Sequence, residues 1–197
     1  VGAFHQPKAV LIDPDVLDTL PPRQISNGLA EAVKMAVTFD ESLLALFERH
    51  DYFRNIDQII AASVRIKAAV VKADEKESGL RRVLNFGHTI GHGIEAQSNF
   101  TVSHGKAVAI GLCVVTRAAA AYGYCTEAVR DKIISAVKKF SLPTETVFDA
   151  HSLFSGALSD KKRSGSHVDL IIPFDIGDCR VMPLELTQIQ SFIQAGL

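Results

Sequence analysis

The sequence has few cysteines, no long hydrophobic run and almost no net charge. Only Cys113, Cys125 and Cys179 occur among 197 residues. Their wide spacing fits neither a disulfide framework nor a cysteine metal site, which indicates a reducing, cytoplasmic compartment. With a net charge of −1, binding to nucleic acid or to a membrane surface has no electrostatic support. No apolar stretch approaches the length of a membrane span.

The sequence also lacks the glycine-rich turn that binds dinucleotides. That G-x-G-x-x-G pattern must follow a strand and open a helix, and no stretch of this chain meets the requirement. The length and a hydrophobic content of 47% are sufficient for one sizeable core. We therefore expect residues 1–197 to form a single domain that does not bind a dinucleotide by itself.

Hydrophobic periodicity predicts a mainly α, multihelical fold with a few short strands. Ser26 or Asn27 is expected to cap the first helix. The chain is expected to form a short strand at 8–13 and a hairpin from 168–173 and 179–183. The predicted helices span residues 26–39, 41–50, 56–72, 84–96, 104–122, 127–140 and 186–195.

The segment Leu-Asn-Phe-Gly-His-Thr-Ile-Gly-His-Gly-Ile-Glu at 84–95 is the most informative part of the chain. His88 and His92 are four residues apart, so a helix places both imidazoles on one face. The three glycines lower helix propensity by roughly 2–3 kcal/mol in sum, which indicates close packing or close approach of a ligand. The spacing alone is compatible with a ligand pair or with a purely structural role.

Two further residues extend the candidate site. His104 follows in the segment Val-Ser-His-Gly-Lys, and Glu31 lies three residues before Lys34 on the first predicted helix. The Glu31–Lys34 spacing is also that of a plain surface ion pair. Histidine together with a carboxylate and an open position is the pattern of catalytic zinc sites.

Taken together, these segments resemble the 3-dehydroquinate synthase family in order and spacing over nearly the whole chain. The resemblance implies that the chain begins where the NAD-binding domain of the family ends, with residues 1–20 as its tail or a linker. The matching segments lie at 2–13, 17–23, 28–34, 67–74, 79–95, 104–111 and 160–162.

The resemblance implies a reaction and its requirements. Family members convert 3-deoxy-D-arabino-heptulosonate 7-phosphate to 3-dehydroquinate and phosphate, in the shikimate pathway of aromatic amino acid biosynthesis. The reaction needs NAD and a divalent metal, Zn²⁺ or Co²⁺. An N-terminal nucleotide-binding domain and a homodimer are the expected partners, and this chain alone is expected to be inactive.

The resemblance also assigns roles to single residues. It makes Glu31, His88 and His104 the metal ligands, whereas His92 faces the substrate near its phosphate as a hydrogen-bond donor or proton relay. Lys34 contacts substrate hydroxyls, Lys67 and Arg81 hold the carboxylate, and Asn85 helps with the phosphate. The expected catalytic residues are thus His92, Lys34 and Asn85. The expected substrate-binding residues are Lys34, Lys67, Arg81, Asn85, His92 and Lys161, with Lys162 as the next candidate.

One residue departs from the family pattern, and several alternatives stay open. Lys106 stands where the family usually has an acidic residue, which could orient a metal ligand. The charged segment at 74–77 is interpreted as a solvated loop. The alternatives are a cyclase acting on sedoheptulose 7-phosphate or glucose 6-phosphate, a metal-dependent polyol dehydrogenase, and a non-catalytic metal-binding domain.

Overall fold

The computed structural model describes residues 5–48, 52–77, 79–160 and 166–197. Within these ranges the chain is mainly helical with one β-hairpin, which confirms the predicted fold class. The helices are α1 (Pro22–Phe39), α2 (Glu41–Glu48), α3 (Ile56–Ala73), α4 (His88–Gln97), α5 (His104–Ala121), α6 (Glu127–Lys139), α7 (Ala150–Asp160) and α8 (Leu186–Gly196). Short 3₁₀ helices span Pro14–Thr19, Tyr52–Asn55 and Leu80–Asn85, and the strands are β1 (His167–Asp175) and β2 (Asp178–Glu185).

Helix α5 is the centre of the packing. It is apolar on nearly every side, as expected for a helix enclosed by other elements. Most of its residues are buried, including Cys113, which is fully buried as a small core residue. Helices α1, α4, α6 and α8 and strand β1 all pack against it. No helix among the described residues has the length and hydropathy needed to cross a membrane.

The hairpin lies against this helical core through the middle of β1, which is buried on both of its faces. Its strands are antiparallel, with His167 opposite Glu185 and Ile171 opposite Val181. Leu170, Ile171 and Ile172 are buried. At the turn, the backbone N–H of Gly177 donates to the carbonyl oxygen of Val37, at 2.8 Å, and so attaches the hairpin to α1.

The predicted strand at 8–13 is wrong. Val10 is 64% exposed and Leu11 is 96% exposed. A strand needs a neighbouring strand to satisfy its backbone hydrogen bonds. Among the described residues, β1 and β2 pair only with each other, so residues 8–13 remain extended without a ladder.

Two predicted helix boundaries also need correction, and one helix was missed. Helix α1 begins at Pro22 rather than after Ser26 or Asn27, because a proline in the first turn needs no N–H donor. The helix predicted from residue 84 begins only at His88, since Gly87 adopts the left-handed conformation at φ +76°. Helix α7 was not expected at all. Residues 49 and 50 of the predicted second helix lie outside the described ranges.

Close packing explains the glycines of α4 and its neighbours. A Cβ atom on Gly111 would overlap the carbonyl oxygen of Gly87, and one on Gly91 would lie 3.3 Å from the backbone of Ala107. A Cβ atom on Gly93 would lie 2.5 Å from the carbonyl oxygen of Leu153 in α7. The backbones of α4, α5 and α7 therefore approach more closely than any larger residue allows.

We expect Gly111→Ala to lower the free energy of unfolding by about 1–3 kcal/mol, because the added methyl group meets backbone atoms that cannot move aside. Gly28→Ala is the matched control, since a Cβ atom there meets nothing within 4 Å. Alanine is favoured in a helix, so this control should be up to about 1 kcal/mol more stable than the wild type. Urea unfolding measures both variants, and equal stabilities would contradict the packing argument.

Candidate metal centre and cationic cleft

Three helices bring Glu31, His88 and His104 together. Glu31 lies in the third turn of α1, whereas His88 and His104 are the first residues of α4 and α5. Glu31 Oε1 is 3.6 Å from His88 Nε2 and 3.5 Å from His104 Nε2. The ligand atoms offered by the three residues all lie within 4.8 Å of one another.

Asn27 attaches the start of α5 to α1. Its Oδ1 accepts a hydrogen bond from the Ser103 hydroxyl at 2.7 Å and another from the Lys106 backbone N–H at 3.2 Å. It thereby satisfies one of the unpaired N–H groups at the beginning of α5. A Cβ atom on Gly105 would overlap the backbone of Asn27. Asn27 was predicted to cap its own helix, but it caps the helix that carries His104.

The His88 ring is oriented with a free lone pair toward Glu31. Its Nδ1 lies 3.1 Å from the carbonyl oxygen of Phe86. A carbonyl oxygen can only accept, so Nδ1 must donate and carry the proton, which leaves Nε2 unprotonated in the neutral ring. Burial, aided by the positive charge of Lys34, lowers the pKa of His88 to about 4. The ring is therefore neutral near pH 7.

The two carboxylate oxygens of Glu31 have different surroundings. Oε2 lies 2.6 Å from the ammonium group of Lys34, which is itself only 3% exposed. Oε1 is buried and has no hydrogen-bond partner among the described residues. Burial acts to raise the pKa of Glu31, but the positive charge and hydrogen bond of Lys34 lead the effects that outweigh it, and the pKa is lowered. Glu31 is thus an ionised carboxylate in a partly buried ion pair, since its side chain is 36% exposed and that of Lys34 only 4%.

This arrangement fits a divalent cation. The Glu31 Oε1 atom and the His88 Nε2 lone pair face each other, and neither brings a proton to the contact. A buried carboxylate oxygen without a hydrogen-bond donor, beside a lone pair, is unfavourable unless a positive charge lies between them. Two imidazole nitrogens and one carboxylate oxygen are a ligand set of catalytic zinc sites, which keep a further position open.

His92 lies beside this group, one turn along α4. Its ring centroid is 5.7 Å from that of His88 and 6.4 Å from that of His104. The cluster with suitable ligand spacing contains Glu31, His88 and His104. The geometry therefore agrees with the set implied by the family resemblance rather than with the His88–His92 pair.

A polar cleft of about 310 Å³ opens beside the three candidate ligands. Its wall includes Lys34, Lys67, Arg81 and Asn85 together with Glu31, His88 and His104. Burial lowers the pKa of Lys34, and the positive charge of Lys67 acts in the same direction against the effect of Glu31. Residues that are far apart in sequence thus form one cationic cleft. Lys161 and Lys162, the remaining predicted anion contacts, lie outside the described residues.

The mostly exposed segment 74–77 reaches this cleft through its last residue, Glu77. Glu77 lines the cleft, and its Oε1 accepts a hydrogen bond from the Asn85 amide at 2.7 Å. Asp74 Oδ2 accepts from the backbone N–H groups of Gly79 and Arg81, at 2.7 and 3.0 Å. The Arg81 side chain donates to the carbonyl oxygen of Glu75 at 2.7 Å. The loop therefore holds Arg81 and Asn85 in place.

Sequence reasoning missed three contacts at the site. They are the hydrogen bond from Asn85 to Glu77, the 3.1 Å contact between His104 Nδ1 and Glu95 Oε1, and the capping of α5 by Asn27. Glu77 is four residues before Arg81, and Glu95 is seven residues after His88 on the same face of α4, so the spacing contained a signal for both. Asn27 gave no such signal, because its partners Ser103 and Lys106 are more than seventy residues away.

The fold of this chain is that of the sugar phosphate cyclases. It superposes on 2-epi-5-epi-valiolone synthase from Streptomyces hygroscopicus, solved with NAD⁺ and Zn²⁺ bound, with a TM-score of 0.83 and 25% identity. The match covers 100% of this chain and 56% of that one. A 2-deoxy-scyllo-inosose synthase complexed with carbaglucose-6-phosphate, NAD⁺ and Co²⁺ also gives a TM-score of 0.83, at 23% identity, with 58% of its chain covered.

Within that fold class, the chain belongs to the 3-dehydroquinate synthase family. Residues 28–163 match the family model of the 3-dehydroquinate synthase C-terminal domain. The 3-dehydroquinate synthase of Sulfurimonas denitrificans is 42% identical over 182 residues, which are 90% of this chain and 52% of the relative. The 3-dehydroquinate synthase of Microcystis aeruginosa is 38% identical, in a match that covers all of this chain and 57% of the relative. The chain thus spans about half the length of these curated relatives.

We expect the chain to bind one zinc ion. His88→Ala and His104→Ala should each abolish stoichiometric binding, because the two protein ligands that remain would hold the ion too weakly. His92→Ala is the matched control on the same helix and should retain the metal. Elemental analysis after gel filtration measures the zinc content. Loss of zinc with His92→Ala, together with retention with His104→Ala, would refute this ligand set.

Proposed function

We propose that this chain is the metal- and substrate-binding half of a 3-dehydroquinate synthase. The supporting observation is one juxtaposition: a Glu31–His88–His104 cluster with the spacing of metal ligands borders a cleft lined by Lys34, Lys67 and Arg81. The substrate, 3-deoxy-D-arabino-heptulosonate 7-phosphate, carries a carboxylate and a phosphate. Burying either anion without a cationic partner costs several kcal/mol.

Glu31, His88 and His104 are the proposed ligands of a divalent metal, Zn²⁺ or Co²⁺. When bound, such an ion supplies a Lewis acid that polarises a substrate oxygen and orients the substrate. Lys34 keeps the second oxygen of Glu31 occupied. That contact restricts Glu31 to a single ligand oxygen, and the remaining Lys34 hydrogens are available for substrate hydroxyls.

The cationic cleft is proposed to bind the two anionic ends of the substrate. Arg81 presents a planar fork that suits a carboxylate, and Lys67 adds a second positive charge. Asn85 is a neutral donor on the same 3₁₀ segment, close to the start of α4. His92 is the proposed hydrogen-bond donor or proton relay near the phosphate, and Lys161 the further phosphate contact.

The NAD requirement is proposed to be met by a nucleotide-binding partner domain. The two structural neighbours bind NAD⁺ in chains almost twice as long as the part that matches this one. This sequence supplies no glycine-rich phosphate-binding turn that follows a strand. The homodimer and the cytoplasmic location implied by the family resemblance stay predictions.

A different sugar phosphate cyclase is the second candidate, because the fold is shared with enzymes that make other cyclic products. Sedoheptulose 7-phosphate and glucose 6-phosphate lack a carboxylate, so they do not require a second anion site. Arg81 and Lys67 line the same cleft as the metal ligands, which favours a substrate with a carboxylate.

We expect the isolated chain to unfold cooperatively on heating and to release no phosphate, with or without NAD. Its buried core is extensive, but the hydride carrier needs the other half of the enzyme. Mixing the chain with the nucleotide-binding half of a relative should restore zinc-dependent phosphate release. Steady turnover by the isolated chain, or no turnover in a stable complex of the two halves, would contradict the proposal.

In the reconstituted enzyme, Arg81→Ala should weaken binding of the carboxylate substrate by about 1–3 kcal/mol, as expected for losing a charge-assisted hydrogen bond. This corresponds to a rise in KM of roughly 5- to 150-fold. Zinc content should be unchanged, since Arg81 is not a proposed ligand. Arg65→Ala, an exposed arginine on α3, is the matched control. If Arg81→Ala raised the KM for sedoheptulose 7-phosphate more than the KM for the carboxylate substrate, the second candidate would be favoured.

A further inference from the structure

The two histidines of the candidate metal centre are held very differently. His88 is only 14% exposed, and its Nδ1 contacts a backbone carbonyl oxygen in the turn that precedes α4. The His104 side chain is 48% exposed. Its Nδ1 lies 3.1 Å from Glu95 Oε1, and its Nε2 faces Glu31 Oε1 at 3.5 Å. Packing alone therefore restrains His104 much less than His88.

We propose that Glu95 is a positioning residue for His104. Its carboxylate accepts the Nδ1 proton, which fixes the ring in the tautomer with an unprotonated Nε2 and directs that lone pair at the centre. The inference rests on the metal site of the proposed function and adds a residue to it. A carboxylate that accepts from the second nitrogen of a ligand histidine also makes the ligand nitrogen more basic.

Glu95 is well placed for this task. Its side chain is 15% exposed, so its carboxylate is largely shielded from competing water. It lies on α4, the helix that also supplies His88, at a spacing of seven residues that keeps both on one face. One rigid helix therefore provides one candidate ligand directly and orients the second. The glycine contacts that join α4 to α5 fix the distance between Glu95 and His104.

The contact between Glu95 and His104 also bears on Lys106, the residue that departs from the family pattern. The family usually has an acidic residue at position 106, which could orient a metal ligand, and this chain has Lys106 there. The Lys106 side chain is exposed, while its backbone N–H donates to Asn27. The carboxylate beside His104 comes from α4 instead. A positive charge at position 106 is thus compatible with an oriented His104.

The test compares Glu95→Gln and Glu95→Ala in the 197-residue chain. Chelator competition gives the Zn²⁺ affinity, and the Co²⁺ visible spectrum reports the coordination geometry. Long-range proton–nitrogen NMR correlations of the metal-free chain give the histidine tautomers. Glu41→Gln is the matched control, because Glu41 is an exposed glutamate that pairs with Lys132 on the far helix α6.

We expect Glu95→Ala to lower Zn²⁺ affinity by about 10- to 100-fold, the usual effect of removing such a partner. In the metal-free variant, His104 should populate both tautomers, whereas His88 keeps its proton on Nδ1 through Phe86. Glu95→Gln still offers an acceptor oxygen, so the His104 tautomer should be retained while affinity falls less. Thermal unfolding of the metal-free variants should stay close to the wild type, since the proposed role concerns the ring and not the helix.

Three results would overturn the proposal. One is wild-type affinity in Glu95→Ala. Another is lower affinity with an unchanged His104 tautomer in that variant, which would mean that Glu95 acts through its charge alone. The third is an equal loss of affinity in Glu41→Gln. A wild-type chain that binds no metal would instead overturn the metal site of the proposed function, and the tautomer measurement would still decide the role of Glu95.

Discussion

The approach of two helix backbones is the constraint on which the candidate site depends. Gly87 and Gly91 of the α4 region meet Gly111 of α5 at a distance that no side chain allows. His88 and His104 begin these two helices, so their separation follows from this contact. Asn27 attaches the third element, because its side chain binds the start of α5 while its helix carries Glu31. The geometry of the centre is therefore determined by backbone contacts and one amide.

Much of the fold could be predicted from periodicity, and the exceptions have physical causes. The helices with a strong apolar stripe, such as α3 and α6, begin and end within one residue of the expected positions. The error at 8–13 arose because a short apolar run in a sequence says nothing about whether a partner strand exists. The late start of α4 reflects the left-handed Gly87, a conformation that the sequence permits but does not require.

The candidate site was predictable only in part. Spacing could place His88 and His92 on one face, but it could not indicate that Glu31 and His104 lie close to His88. Resemblance to a family supplied His104 and Glu31, which the fold brings to within 4.8 Å of His88. The contacts of Glu77 and Glu95 depend on how a loop folds back and how two helices pack. Such contacts are properties of tertiary structure, and a single sequence encodes them only indirectly.

The partly buried ion pair between Lys34 and Glu31 also bears on ion selectivity. With one oxygen held by the ammonium group, Glu31 cannot offer both oxygens to a cation. Calcium takes six to eight oxygen ligands, and magnesium prefers an octahedron of oxygens with several waters retained. An ion that enters between Glu31, His88 and His104 meets one oxygen and two imidazole nitrogens. Nitrogen ligands suit zinc and its neighbours among the transition metals. Lys34 touches no metal, but by occupying one oxygen of Glu31 it would help to exclude calcium and magnesium, the two divalent cations that are most abundant in cells.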